Sequence, residues 1–228
     1  MATPVLVRSY ASAPAAGSGS ITISTDTSGG SLLLMKITQG YQEGAPSTPT
    51  FGGSSTGIIL HASISTGVLG RAWIYYLNAP TGTQDVVFAF GGYSARTVVV
   101  EVWSDTDSTT PLKTAYTAGS STGTNPTVTV TSGAAEDVIT DVLVVSPNVN
   151  PTGTISSSGS GQTTVAINDN LGTTAVNHAL GASSYEAGGT SVVMSWTLDL
   201  SNRWTIIACP IAASVITVRT DITLNIVV

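Results

Sequence analysis

The side chains able to do metal or nucleophilic chemistry are few. There are two histidines, His61 and His178, one cysteine, Cys209, and 13 acidic residues in 228. Each histidine falls in a strand-like pattern, with no second His or Cys at ligand spacing, so no zinc site is expected. Serine and threonine number 64, so a hydrolytic serine has many candidates by residue type. The Gly-x-Ser-x-Gly turn before a helix is nevertheless missing. Gly17–Ser20 and Ser157–Gly161 sit instead in low-complexity loops. Glycoside hydrolysis needs two carboxylates facing each other, and Glu43, Glu101, Glu136 and Glu186 have no context suggesting it. Asp105-Thr106-Asp107-Ser108 resembles the start of a calcium loop but lacks its central glycine and distal glutamate. It reads as an Asx-capped turn ending at Pro111. The adjacent acids Glu136 and Asp137 read as a solvated strand entrance. No catalytic residue, metal ligand or cofactor-binding residue is assigned, and the chain is expected not to be an enzyme.

The composition restricts the elements that could position any site. Charged residues make up 9% of the chain, against about 25% in an ordinary globular domain. Net charge is −6, which excludes electrostatic binding of nucleic acid. An apolar fraction of 42% and a mean hydropathy of +0.31 exclude a disordered chain. A coiled coil or helical bundle would need far more Glu, Lys and Arg. One cysteine allows no intrachain disulfide, and Cys209 reads as a small buried hydrophobe. The first residues show no basic region followed by an apolar run, so no signal peptide is expected. The longest apolar runs, such as Leu32–Met35 and Val142–Val145, are too short for a transmembrane helix. The Asn-x-Ser/Thr sites at Asn125 and Asn150 are void because Pro126 and Pro151 follow.

Period-two patterns dominate, and no stretch keeps a helical period. Strands are predicted at Val5–Arg8, Ser20–Ser24, Ser31–Thr38, Gly57–His61, Arg71–Leu77, Gln84–Phe90, Thr97–Trp103, Leu112–Tyr116, Thr127–Thr131, Val138–Val145, Thr163–Ile167, Val176–Tyr185, Val192–Leu198 and Trp204–Ile211. Asn148–Gly161 reads as an exposed loop. The fold expected is all-β: an antiparallel β-sandwich with an extended C-terminal strand or arm. An N-terminal segment (1–19) precedes one sandwich (20–213), and the last strand occupies 214–228. Two stretches look alike, Gly82–Phe90 leading to Arg96 and Gly189–Trp196 leading to Arg203. They read either as two hairpins under one packing constraint or as a duplicated half.

The C-terminus alternates nearly perfectly. Ile216, Val218, Ile222, Leu224, Ile226 and Val228 share one face; Thr217, Arg219, Asp221, Thr223 and Asn225 share the other. Fully extended, this strand reaches about 40 Å. It either bends back to close its own sandwich or pairs with the sheet of a neighbouring subunit, with those six apolar residues as contacts. The strand aromatics, Trp73 and Tyr75 among them, read as core. Tyr10, Tyr41, Tyr93 and Tyr185 lie near turns and are the candidates for a surface that stacks on sugars.

Three stretches carry a resemblance: Arg71–Phe90, with its Trp-x-Tyr-x-Leu strand and Pro-x-Gly turn; Val102–Leu112; and Ser191–Thr197 running on through Trp204–Ile211. Together they are similar to a family of jelly-roll, concanavalin-like β-sandwich domains found in tailed-phage virion proteins and bacterial surface proteins. The resemblance covers roughly Ser20–Ala213 and implies a sandwich of jelly-roll type with a structural or binding role. The expectation is a bacteriophage virion structural protein, a capsid decoration protein assembled in the bacterial cytoplasm. Its partners would be copies of itself and other virion proteins, the major capsid protein or tail components, with no nucleic acid and no membrane. A tail-fibre or tail-tip protein is the alternative within that class. A carbohydrate-binding module or adhesin, with a glycan as ligand, is the alternative outside it.

Overall fold

A computed structural model describes residues 1–12, 19–40, 45–65, 70–91, 95–113, 116–146, 154–170 and 179–215. Among these residues there is no helix. Sixteen strands follow in order: β1 (Val5–Ala11), β2 (Gly19–Asp26), β3 (Leu32–Gln39), β4 (Thr50–Phe51), β5 (Ile58–Ser65), β6 (Arg71–Asn78), β7 (Thr83–Phe90), β8 (Arg96–Ser104), β9 (Thr117–Gly123), β10 (Thr127–Val130), β11 (Val138–Ser146), β12 (Ile155–Ser158), β13 (Thr163–Asn170), β14 (Ala179–Ala187), β15 (Val192–Leu198) and β16 (Asn202–Ile211).

The first eight strands form a five-stranded sheet, β1-β8-β3-β6-β5, and a three-stranded sheet, β2-β7-β4. The last eight form β13-β14-β11-β16-β9 and β10-β15-β12. Counted from the start of each half, the two strand orders are the same. In the first half β1 pairs with β8, β2 with β7 and β3 with β6, all antiparallel. In the second, β9 pairs with β16, β10 with β15 and β11 with β14. Each half is thus a nested hairpin rolled so that successive pairs land on opposite sheets, the jelly-roll arrangement.

The antiparallel sandwich and its jelly-roll winding are therefore as the sequence implied, but the chain builds two of them where one was expected over 20–213. The two look-alike stretches are β7 leading to β8 and β15 leading to β16, the same place in each half. Val86, Phe88 and Phe90 turn inward from β7, and Val192, Met194 and Trp196 turn inward from β15. Within the expected segment 1–19, Val5–Ala11 forms β1, an edge strand of the first half. Of the expected C-terminal strand, 214–228, residues 216–228 lie outside the described residues, and Ser214 makes a single bridge to Ala2.

The two five-stranded sheets pack against each other, giving four layers with three cores. Leu33, Met35, Ile37, Phe88 and Val100 fill the first core, inside the first sandwich. Ile139, Leu143, Met194, Trp196 and Ile206 fill the third, inside the second. Leu32, Leu34, Ile74, Val142, Val144 and Ile207 fill the middle core, between the sandwiches. The middle sheets are covered on both faces, so every residue of β3 and β11 is buried. Such strands read as continuous apolar runs, while β7 and β15, with one face in water, alternate. Across the middle layer β3 lies on β11, β8 on β14, β6 on β16 and β1 on β13. Exchange of the halves maps β3 on β11 onto itself and turns β8 on β14 into β16 on β6, so a pseudo-two-fold axis passes between β3 and β11. The chain builds within itself an interface of the isologous kind found in symmetric dimers.

Candidate functional site

The most concentrated polar chemistry sits where no solute reaches it, at the middle of the four layers. Lys36 stands on β3 among apolar neighbours and points at the second half. Its Nζ donates to Glu101 Oε1 (2.5 Å), to Thr140 Oγ1 (2.5 Å) and to Ser183 Oγ (2.7 Å). An ammonium has three protons, and these three acceptors match them. Both charged side chains are wholly buried. Ser183 Oγ and Trp103 Nε1 also face Glu101, at 2.8 and 3.0 Å from its two carboxylate oxygens. Lys36, Glu101 and Trp103 come from the first half, and Thr140 and Ser183 from the second. The cluster therefore ties the halves together and fixes how they face each other.

A second buried carboxylate, Asp141, points from β11 into the core of the second sandwich. Its Oδ1 accepts from the backbone N–H (2.7 Å) and hydroxyl (2.9 Å) of Ser184, and its Oδ2 accepts from Trp196 Nε1 (2.7 Å). Burial pushes its pKa up to about 6, against the pull of Lys36 and these donors. Burial likewise pushes the Cys209 thiol up to about 12, so the lone cysteine is the inert core residue expected.

The acidic turn behaves as read from the sequence. Asp107 Oδ1 accepts the backbone N–H groups of Thr109 (2.8 Å) and Thr110 (2.7 Å), which hold its carboxyl below the usual range. The strand entrance does not. Asp137 is buried, accepting from the backbone N–H of Ala134 (2.7 Å) and of Ala213 (3.3 Å) and pairing with Lys113 Nζ at 2.5 Å. It clamps the start of β11 to the chain that follows β16. Nothing in Glu136-Asp137 distinguishes this from a solvated pair, because the partners arrive from residues 113 and 213.

Of the candidate binding tyrosines, the two described ones pack against different cores. Tyr10 is half-buried on β1, and its hydroxyl accepts from the Asp26 backbone N–H at 3.1 Å. Tyr185 is half-buried in the middle layer, edge-on to Trp103 at 5.2 Å. Tyr41 and Tyr93 lie outside the described residues, as do Ile216, Val218, Ile222, Leu224, Ile226 and Val228. All four tryptophans are buried. His61 lies on β5, and His178 falls outside the described residues. Among the described residues no three His, Cys, Asp or Glu side chains gather as a metal site would require.

One surface feature was missed in the sequence. β5 is the outer strand of the first five-stranded sheet, and its eight residues include no charge and no proline. Ile59 and Leu60 stand 49% and 48% exposed, on opposite faces of this edge. A bulge between Leu60 and Ala62 places His61 against Tyr76 (6.2 Å between rings) and Tyr116 (6.1 Å). Tyr116 comes from the second half, just before β9, and is itself 40% exposed. Burial holds the His61 imidazole below its ordinary pKa, so it is neutral at pH 7. The result is an apolar and aromatic seam where the two sandwiches meet, along an edge that is open among the described residues. Isoleucine and leucine in consecutive positions of a strand were the available signal.

No family model, curated protein or solved structure matches the chain.

Proposed function

We propose that this chain is a structural component of a bacteriophage virion, a capsid decoration protein that acts mechanically through contacts along its strand edges. The observation that carries the reading is β5: an edge open among the described residues, eight residues long, uncharged, with two large apolar side chains exposed. Monomeric proteins normally blunt such edges with lysine, proline or a covering segment. The only two lysines are spent elsewhere, Lys36 at the centre and Lys113 on Asp137. An edge left undefended suits a protein that functions in the paired state. The stacked jelly rolls suit the same role, because three cores and a buried ion cluster make a stiff block rather than a hinged pair. The phage setting rests on the resemblance of Arg71–Phe90 and Ser191–Ile211, which are β6–β7 and β15–β16 here. Repetition over a lattice makes modest contacts strong.

The test is made on virions of the phage that encodes the chain. Quantitative mass spectrometry should find it in many copies per particle, and capsids lacking it should bind the purified protein and resist heat or dilution better afterwards. Absence from purified particles, or capsids that neither bind it nor gain stability, would end the proposal.

A further inference from the structure

We infer that β5 is the acceptor for the C-terminal strand, residues 216–228, of a second copy of this chain, which extends the five-stranded sheet by one strand. This names the partner for the assembly role proposed above and rests on that reading.

Three observations meet here. First, β5 has one open side among the described residues, with β6 filling the other, so its outward backbone groups await a strand. Second, the seam beside it is apolar on the side of the middle layer. Ile59 is directly opposite Tyr76 in the ladder, and His61 and Tyr116 continue the surface. The tail has the matching chemistry: Ile216, Val218, Ile222, Leu224, Ile226 and Val228 on one face, Arg219 and Asp221 on the other. Added beside β5, its apolar face covers Ile59 and Tyr116 while its charges stay in water. Third, the described chain ends far from its own β5. The Ser214 carbonyl accepts from the Ala2 N–H (3.2 Å), and the Ser214 N–H donates to the Asp105 carbonyl (2.9 Å). This anchors the exit at the β1–β8 side of the sheet, whereas β5 lies at the opposite edge. Four strand spacings separate β1 from β5, about 19 Å, and crossing them uses about six residues. That crossing takes about half of the thirteen residues 216–228, so this segment meets its own β5 with only part of its length. A neighbouring copy meets no such constraint. The contact is heterologous, tail to edge, so repetition generates rings or chains of subunits.

The experiment uses the full-length chain in size-exclusion chromatography with light scattering. Wild type should self-associate at micromolar concentration. Ile59→Lys/Leu60→Lys, which charges the acceptor, and Ile222→Asp/Leu224→Asp, which breaks the donor, should each be monomeric with unchanged circular dichroism. Mixed together, they retain one good tail and one good edge, and should form a 1:1 complex that neither forms alone. If the paired lysines unfold the protein, the single Ile59→Lys variant gives the same reading. Monomeric wild type, variants that associate like wild type, or a mixture that stays monomeric would each overturn the inference. Monomeric wild type with its tail protected from protease would assign the strand to its own chain and overturn it equally. The virion measurement is independent: a protein found in particles but monomeric in solution loses only this inference, and one that self-associates but is absent from particles loses the assembly role.

Discussion

Replacing Lys36 by methionine tests the central claim about stability, that one ion cluster joins the two sandwiches. Methionine nearly matches the volume of the lysine stem, so the middle core keeps its packing and the change is electrostatic. It leaves the Glu101 carboxylate, wholly buried, with Ser183 Oγ (2.8 Å) and Trp103 Nε1 (3.0 Å) and no counter-charge. Breaking a buried pair by removing one partner costs about 3–5 kcal/mol. Domains of ordinary stability hold only about 5–15 kcal/mol in total. Lys36→Met should therefore lose about a fifth of the stability or more, and Glu101→Gln should lose a similar amount by stranding the ammonium. The double variant should recover, to within about 2 kcal/mol of wild type. Its glutamine still accepts from Trp103 Nε1 and can donate toward Ser183 or Thr140, and no charge remains. Urea unfolding followed by tryptophan fluorescence and by circular dichroism gives all four corners of the cycle. The singles should couple by more than about 3 kcal/mol, far above the ~0.5 kcal/mol scatter of independent sites. A Lys36→Met protein within about 1 kcal/mol of wild type, or effects that simply add, would refute the reasoning.

The remaining predictions concern buried groups. The folded-state pKa of Asp141, about 6, lies above the 3.8 of an ordinary aspartate, so the native state binds its proton more tightly than the unfolded state. Its contribution is complete below about pH 4 and is lost as pH rises through about 6, a swing of ~3 kcal/mol that Asp141→Asn should flatten in pH-dependent urea melts. Gly181 sits where a Cβ would lie 2.6 Å from Thr38 Oγ1 and closer still to Thr97 Oγ1, so the sheets meet there only because a side chain is missing. Gly181→Ala should cost about 1–3 kcal/mol by overpacking, measured as a lowered urea midpoint, and Thr97→Ala should relieve part of that loss. Cys209 should ignore a thiol reagent at pH 8 in native protein and react at once in urea; rapid labelling without denaturant would place it nearer the surface than the structure does.

Most of the strand inventory was legible because alternation and β-branched runs are local properties. The positions of β6, β7, β11 and β15 follow from their own residues. β9 was not legible: Thr117–Gly123 has no large side chain, and the strand exists because β16 supplies a ladder for it. The predicted strand Leu112–Tyr116 reduces, in its described part, to a single bridge from Leu112 to Ile211. β4 and β12 are too short for any period, and β12 lies inside the stretch read as a loop.

The sequence by itself determined an all-β chain, its turn chemistry at Asp107, the inertness of Cys209 and the apolar alternation of its C-terminus. The strand patterns and the Asp107 turn are settled by neighbours within a few residues, and Cys209 takes its burial from the apolar strand that holds it. Tertiary structure alone decided that there are two sandwiches, that their five-stranded sheets share a core, and that Lys36 neutralises Glu101 from 65 positions away. It also decided that Asp137 is a buried clamp rather than a solvated acid and that Ile59 and Leu60 stand on an open edge. Whether a strand face meets water or another sheet depends on which distant segment pairs beside it. The uninterrupted runs Leu32–Met35, Val98–Val100 and Val142–Val145 bore the mark of burial on both faces. What covered them was each other, across a pseudo-two-fold axis that exists only once both halves are folded.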